Sequence, residues 1–216
     1  RGATPSSSPL AGTGTSLDFG FQTVAGTYTV VATNNITGCT NTMVGSALIT
    51  VNPLPNAYAV TGGGGYCTGG TGTAVGLATS DVGISYQLYL TGSPVGAPLA
   101  GTGAALNFGL QTAAGVYTIV GTNTITGCQN SMTGSATVTI NPLPATYSVT
   151  GGGAYCAGGA GKTVGLGGSA TGVNYQLFIN GIPSGASVSG TGTAFTFGTY
   201  TTSGVYTVVA TNISTS

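Results

Sequence analysis

The sequence predicts an all-β chain of tandem sandwich domains. Three observations predict it: a period of 89 residues, short strand-like segments between glycine turns, and the absence of helical spacing. Pro9-Leu10-Ala11-Gly12-Thr13-Gly14-Thr15 returns 89 residues later as Pro98-Leu99-Ala100-Gly101-Thr102-Gly103-Ala104. The same offset carries Phe19 to Phe108 and Phe197, and Tyr28 to Tyr117 and Tyr206. It also carries Cys39 to Cys128, Cys67 to Cys156, and Asn52-Pro53-Leu54-Pro55 to Asn141-Pro142-Leu143-Pro144. Landmarks of several chemical types keeping one period mark a repeated domain, and a unit of this length matches a two-sheet sandwich of about 100 residues.

The frame divides the chain at its Pro-Leu-Pro segments. Residues 1–54 read as the C-terminal part of a repeat, 55–143 as a complete repeat, and 144–216 as a repeat lacking its last strand. Proline fixes φ and restricts its predecessor, so each Pro-Leu-Pro is expected to be a short, stiff, extended joint. A chain that enters and leaves its repeats part-way is expected to be a window onto a longer protein.

Within the complete repeat, seven strands are expected, at about 57–61, 73–79, 85–90, 95–100, 105–108, 116–123 and 135–140. Side chains alternate between faces, so each inward set can be named. It comprises Val75 and Leu77; Tyr86, Leu88 and Leu90; Leu106 and Phe108; Tyr117 and Ile119; and Ala136, Val138 and Ile140. Thr118, Thr122, Thr137 and Thr139 take the opposite face, where a β-branched polar residue suits a solvated strand. Gly115-Val116-Tyr117 opens the sixth strand, the position at which Greek-key sandwiches carry a tyrosine that bonds back to the preceding loop. A seven-stranded Greek-key β-sandwich is the expected domain.

Composition removes whole classes of function. The 216 residues include 2 Lys+Arg, 2 Asp+Glu and no His. General acid–base catalysis wants a histidine or a carboxylate pair, and metal sites want clustered His, Cys, Asp or Glu. The two acids, Asp18 and Asp81, stand far apart in the repeat and become Asn107 and Ala170 in neighbouring copies. We therefore expect no catalytic residue, no cofactor and no metal, and no calcium-stiffened linker. A nucleic-acid partner would need a basic footprint, which is lacking. Hydrophobic residues make up 41% of the chain and alternate with polar ones, which argues for a packed core over disorder. No apolar run reaches the length of about 20 residues that a membrane-spanning helix needs, and no leader segment is visible.

A set of short motifs extends the reading. Tyr66-Cys67-Thr68-Gly69-Gly70, Tyr86-Gln87-Leu88, Gly115-Val116-Tyr117-Thr118, Thr126-Gly127-Cys128 and Val138-Thr139-Ile140-Asn141-Pro142-Leu143-Pro144 occur in that order and spacing. Together they resemble the immunoglobulin-like repeats of very large secreted surface proteins of Bacteroidota, including gliding-motility adhesins and related cell-surface filaments. The resemblance covers the whole chain. It implies an immunoglobulin-like sandwich, export through the type IX system, a place on the cell surface, and a role in adhesion or in a filament. It brings no catalytic residue. Many repeats of that family are more acidic, so the near absence of charge is a departure.

In an exported chain, Cys39, Cys67, Cys128 and Cys156 read as a disulfide framework. Three pairings are open. The resemblance, in which a 61-residue spacing recurs, implies Cys67 with Cys128 inside one repeat. Strand alternation objects, because it sets those two at opposite ends of the sandwich. The alternatives are a bond from the first interstrand loop of one repeat to the last hairpin of the next, or a folded-back joint pairing Cys39 with Cys67 and Cys128 with Cys156.

Other features carry a specific and a plain reading. Gly158-Gly159-Ala160-Gly161-Lys162-Thr163 looks like a phosphate loop, but Cys156 stands where the first glycine is required and no helix is expected to follow. It is expected to be a loop entering a strand. Gly62–Gly65 and Gly151–Gly153 are expected to be turns with positive φ beside a crowded joint. Asn35-Ile36-Thr37 and Asn212-Ile213-Ser214 match a glycosylation pattern that carries no meaning in a bacterial chain. Tyr89 and Phe178 match across copies and should point away from the core. They are either an aromatic platform for sugar or chain packing, or cross-strand neighbours covered by the adjacent hairpin.

The expected function is a stalk or fibre whose partners are neighbouring repeats and identical chains. Two other readings stand beside it: a glycan- or surface-binding module, and accessory repeats of a secreted hydrolase.

Overall fold

The computed structural model describes residues 5–214, and these residues form strands and turns with no helix. The complete repeat holds nine strands. They are β1 (Val60–Gly62), β2 (Gly64–Cys67), β3 (Thr73–Leu77), β4 (Ile84–Leu90), β5 (Ser93–Ala100), β6 (Leu106–Gln111), β7 (Gly115–Asn123), β8 (Gln129–Ser131) and β9 (Ala136–Asn141). One sheet has the order β6-β3-β1, all antiparallel. The other has the order β2-β9-β7-β4-β5, with β8 also pairing β7.

Two departures from the seven-strand expectation have clear causes. The first expected strand, 57–61, is reduced to the short β1, and an additional strand, β2, forms in the other sheet where Gly62–Gly65 were expected only to turn. Gly62 and Gly63 turn the chain between sheets with φ of 90° and 82°. A Cβ on Gly62 would sit 2.0 Å from the Ala74 carbonyl oxygen, so only glycine fits. At the other end, β8 and β9 both run along β7, opposite Val120–Thr122 and Gly115–Tyr117 respectively. Met132 lies in the break between them and is buried in the core.

Both sheets contribute to one core. Val75 and Leu77 of β3 pack with Ile84, Tyr86 and Leu88 of β4, Tyr117 and Ile119 of β7, Met132, and Ala136 and Val138 of β9. Leu90, Leu106 and Phe108 border it, half-buried. Ile140, expected inside, is 43% exposed. Val138 is already opposite Gly115, the first residue of β7, so Ile140 runs past the end of the core.

Several polar groups at the core are met by neutral partners repeated at the period, whereas the buried Thr73 hydroxyl has no hydrogen-bond partner. The tyrosine opening β7 bonds back four residues: Tyr117 Oη donates to the Ala113 carbonyl at 2.9 Å, Tyr28 to Val24 at 2.8 Å, and Tyr206 to Thr202 at 2.7 Å. Ser80 is buried, donates to the Ala104 carbonyl at 2.6 Å and accepts the Thr102 amide at 3.0 Å. Ser169 does the same with Thr193 and Thr191. A bulge between Tyr86 and Leu88 leaves carbonyls facing one another, and Gln87 Nε2 donates to those of Leu88 and Val95. Gln176 fills the equivalent bulge.

In the third repeat the strands Val149–Gly151, Lys162–Leu166 and Phe195–Tyr200 form one sheet, and Val173–Ile179, Ile182–Ser189 and Tyr206–Asn212 the other. Residues 5–54 carry two short pairs, Gly26–Tyr28 with Ala47–Ile49 and Val31–Thr33 with Thr40–Thr42.

Candidate functional site at the repeat junction

The most elaborately built surface of the chain is the joint between the first two repeats. Pro55 is buried, and Asn130 Nδ2 of β8 donates to its carbonyl at 2.8 Å. Just beyond, the Thr133 amide donates to the Tyr58 carbonyl at 2.8 Å and the Val60 amide to the Thr133 carbonyl at 2.9 Å. The Tyr58 amide reaches Met132 Sδ at 3.4 Å. The segment leaving Pro-Leu-Pro is thus bonded along the break between β8 and β9.

The hairpin from β7 to β8 faces this joint and is held by its own side chains. Asn123 Oδ1 accepts the amides of Ile125 and Thr126 at 3.0 Å each, and Thr126 Oγ1 accepts the Cys128 amide at 3.3 Å. Asn34 and Thr37 hold Cys39 in the same way. Cys128 Sγ projects to 4.0 Å from the carbonyl oxygen of Asn52, the last residue before Pro53 of the preceding repeat.

All four cysteines are unpaired thiols: Cys39, Cys67 and Cys156 are exposed and Cys128 half-buried. The register removes the pairing of Cys67 with Cys128. β2 runs parallel to β9 with Cys67 opposite Asn141, beyond the Gly115 end of β7. Cys128 follows Asn123, the other end. The eight-residue step between those ends spans about 26 Å, against Cα separations of about 4.4–6.8 Å across a disulfide. The folded-back pairing fails too. Cys128 lies at the end of the repeat nearest Asn52, whereas the third repeat, with Cys156, departs from the opposite end after Asn141.

Tyr89 and Phe178 lie on the outer face and are half-buried. Tyr89 stands between Thr118 of β7 and Pro94 of β5, and Phe178 between Thr207 and Pro183. The two aromatics share one setting, and the hairpin strand flanks each of them. Lys162 begins a strand, as the plain reading of its glycine-rich loop expects. Among the described residues no three His, Cys, Asp or Glu side chains cluster.

The charged groups serve neighbours. Asp81 accepts Tyr58 Oη at 2.6 Å and Asn56 Nδ2 at 3.0 Å. That hydrogen bond to the carboxylate, with some desolvation, raises the Tyr58 pKa above its ordinary value. Tyr86 Oη accepts the backbone amide of residue 81, and Tyr175 Oη that of residue 170, so the site tolerates Asp81 or Ala170 alike. Burial raises the pKa of Tyr86 and of Tyr117.

Sequence reasoning found the cysteines and the Pro-Leu-Pro joint but missed Asn130 and Met132. Both recur one period apart, as Asn41 with Asn130 and Met43 with Met132, so the repeat itself held the signal that strand alternation did not give. Comparison with known proteins finds no matching family model and no matching curated protein.

Proposed function

We propose that this chain is a structural segment of an extracellular bacterial surface adhesin or filament, in which immunoglobulin-like repeats are joined end to end as a stiff stalk, without catalytic activity of their own. The observation that carries this reading is the entry to the second repeat: Pro55 is buried, Asn130 holds its carbonyl, and Tyr58 and Val60 bond the backbone of Thr133. The chain is thus fastened to its repeat directly after Pro-Leu-Pro, which leaves a short joint, as a reaching element needs and a flexible tether does not. The strand order, with β2 parallel to β9 and the repeated tyrosine bond, supports the immunoglobulin-like description. Electron microscopy of the native material is the test. Straight fibres or stalks with one density per repeat are expected; chains that bend freely at every joint would sink it.

A second reading rests on the outer-face aromatics. Tyr89 and Phe178 occupy one position in successive repeats, and a row of such rings suits a sugar surface. Retention of the chain on immobilised glycans, abolished by Tyr89→Ala with Phe178→Ala, would establish gripping in addition to reaching.

A further inference from the structure

We propose that each joint is closed by a disulfide between repeats: the cysteine at the Cys67 position of one repeat bonds the cysteine at the Cys128 position of the next. The proposal rests on the extracellular setting of the proposed function for its oxidising conditions, and on the register for its geometry.

The register supplies the direction. In the complete repeat Cys67 is opposite Asn141, and the Asn141 carbonyl accepts both the amide of Thr68 at 2.9 Å and its hydroxyl at 3.1 Å. That carbonyl therefore points at the strand that bears Cys67. Asn52 is the equivalent residue of the first repeat, one period earlier. Its carbonyl is the one that Cys128 Sγ approaches at 4.0 Å. Cys128 thus stands on the side of Asn52 where the preceding repeat places its own Cys67-type strand. Parallel neighbours lie about 4.8 Å apart, so both cysteines stand beside Asn52, one on the adjoining strand and the other with its Sγ 4.0 Å from the Asn52 carbonyl oxygen.

The partner of Cys128 belongs to the Cys67 position of the first repeat, ahead of Arg1 in the frame. The partner of Cys67 belongs to the Cys128 position of the third repeat, past Ser216. No two of Cys39, Cys67, Cys128 and Cys156 stand in the relation that the joint requires.

The chemistry is thiol–disulfide exchange with a disulfide-bearing oxidant. One cysteine thiolate attacks an oxidant sulfur, forming a mixed disulfide and expelling the oxidant's first thiolate. The second cysteine thiolate then displaces the other oxidant thiolate. The new S–S bond joins the repeats, two electrons pass to the oxidant, and it leaves as two thiols carrying the two protons. The hairpin around Cys128 is already held by Asn123 and Thr126, and Asn130 ties the same hairpin to the Pro55 carbonyl beside the joint.

The test uses the full chain extended past Ser216 by a copy of its own residues 128–143, which supplies the third repeat with its second cysteine and last strand. After exposure to oxidised glutathione, chymotryptic peptides are mapped without reduction. Cys67 should be joined to the appended cysteine, with loss of two hydrogens, while Cys39, Cys128 and Cys156 carry glutathione. Cys67→Ser should leave the appended cysteine as an adduct. A bond between Cys67 and Cys128, or Cys67 recovered mainly as an adduct, overturns the proposal. Native surface material supplies the independent measurement. Cys128 is expected joined to a Tyr-Cys peptide of the preceding repeat; Cys128 joined to Cys67 or Cys156 overturns the pairing. Free native thiols alongside the expected bond in the extended chain would overturn the extracellular setting while leaving the junction geometry standing.

Discussion

The second and third repeats contain the same backbone devices and differ in what closes them. Tyr117 and Tyr206 make the same bond to the loop before their strand, Ser80 and Ser169 the same pair of bonds, and Gln87 and Gln176 fill the same bulge. Yet Tyr117 and Ile119 are buried, with β9 and Met132 along one side of their strand, while Tyr206 and Val208, whose strand pairs among the described residues only with Val173–Ile179, are half-buried. An open groove of about 360 Å³ lies there, lined by Tyr155, Lys162, Tyr200 and Tyr206 among others. Local hydrogen-bonded geometry is thus written inside each strand and its loop. Burial is conferred by the last strand, which arrives late in the repeat.

Substitutions that sample burial should therefore separate the two repeats most. Ile119→Ala should cost about 2–5 kcal/mol and Val208→Ala about 1 kcal/mol or less, read by native-state hydrogen exchange, which resolves the repeats individually. Equal losses would show that β9 adds little. The crossover glycines should respond alike. Gly62 and Gly151 have φ of 90° and 87°, and a Cβ on either meets a carbonyl oxygen at 2.0 Å. Gly62→Ala and Gly151→Ala should each cost about 1–3 kcal/mol from backbone strain, with the contact adding to it.

A smaller difference is expected at the tyrosine bond. Tyr117→Phe removes a hydrogen bond at a buried ring and should cost about 1 kcal/mol, and Tyr206→Phe less, by the same exchange measurement. The pH dependence is the mildest expectation. Desolvation raises the pKa of Tyr86, Tyr117 and Tyr206, and the bond to Asp81 raises that of Tyr58. The folded state holds these phenols neutral, so their contribution is complete below the unfolded tyrosine value of about 10 and is lost as pH rises through the folded values. The urea midpoint should fall above about pH 10, and Tyr58→Phe should lessen the fall.

Much of this was legible in the chain. Alternation named Val75, Leu77, Tyr86, Leu88, Tyr117, Ile119, Ala136 and Val138 as core, and all are buried in it. What escaped depends on contacts between distant segments. Ile84 and Met132 enter the core from the ends of elements, where alternation gives no guide. The change of sheet between β1 and β2 is written in glycines, which say that the chain turns but not that it changes sheets. The cysteine pairing could be argued only from the parallel register of β2 on β9, a partnership between segments more than 70 residues apart.

That partnership also governs how the repeat meets force. β2, near the start of the repeat, and β9, its last strand, lie side by side and point the same way, tied at four register pairs from Gly64 with Val138 to Cys67 with Asn141. Tension along the array draws them lengthwise past each other, so the bonds between them share the load and must yield together. A hairpin pulled open at its ends would surrender them one at a time. A chain almost without charge can in this way bear traction through backbone alone.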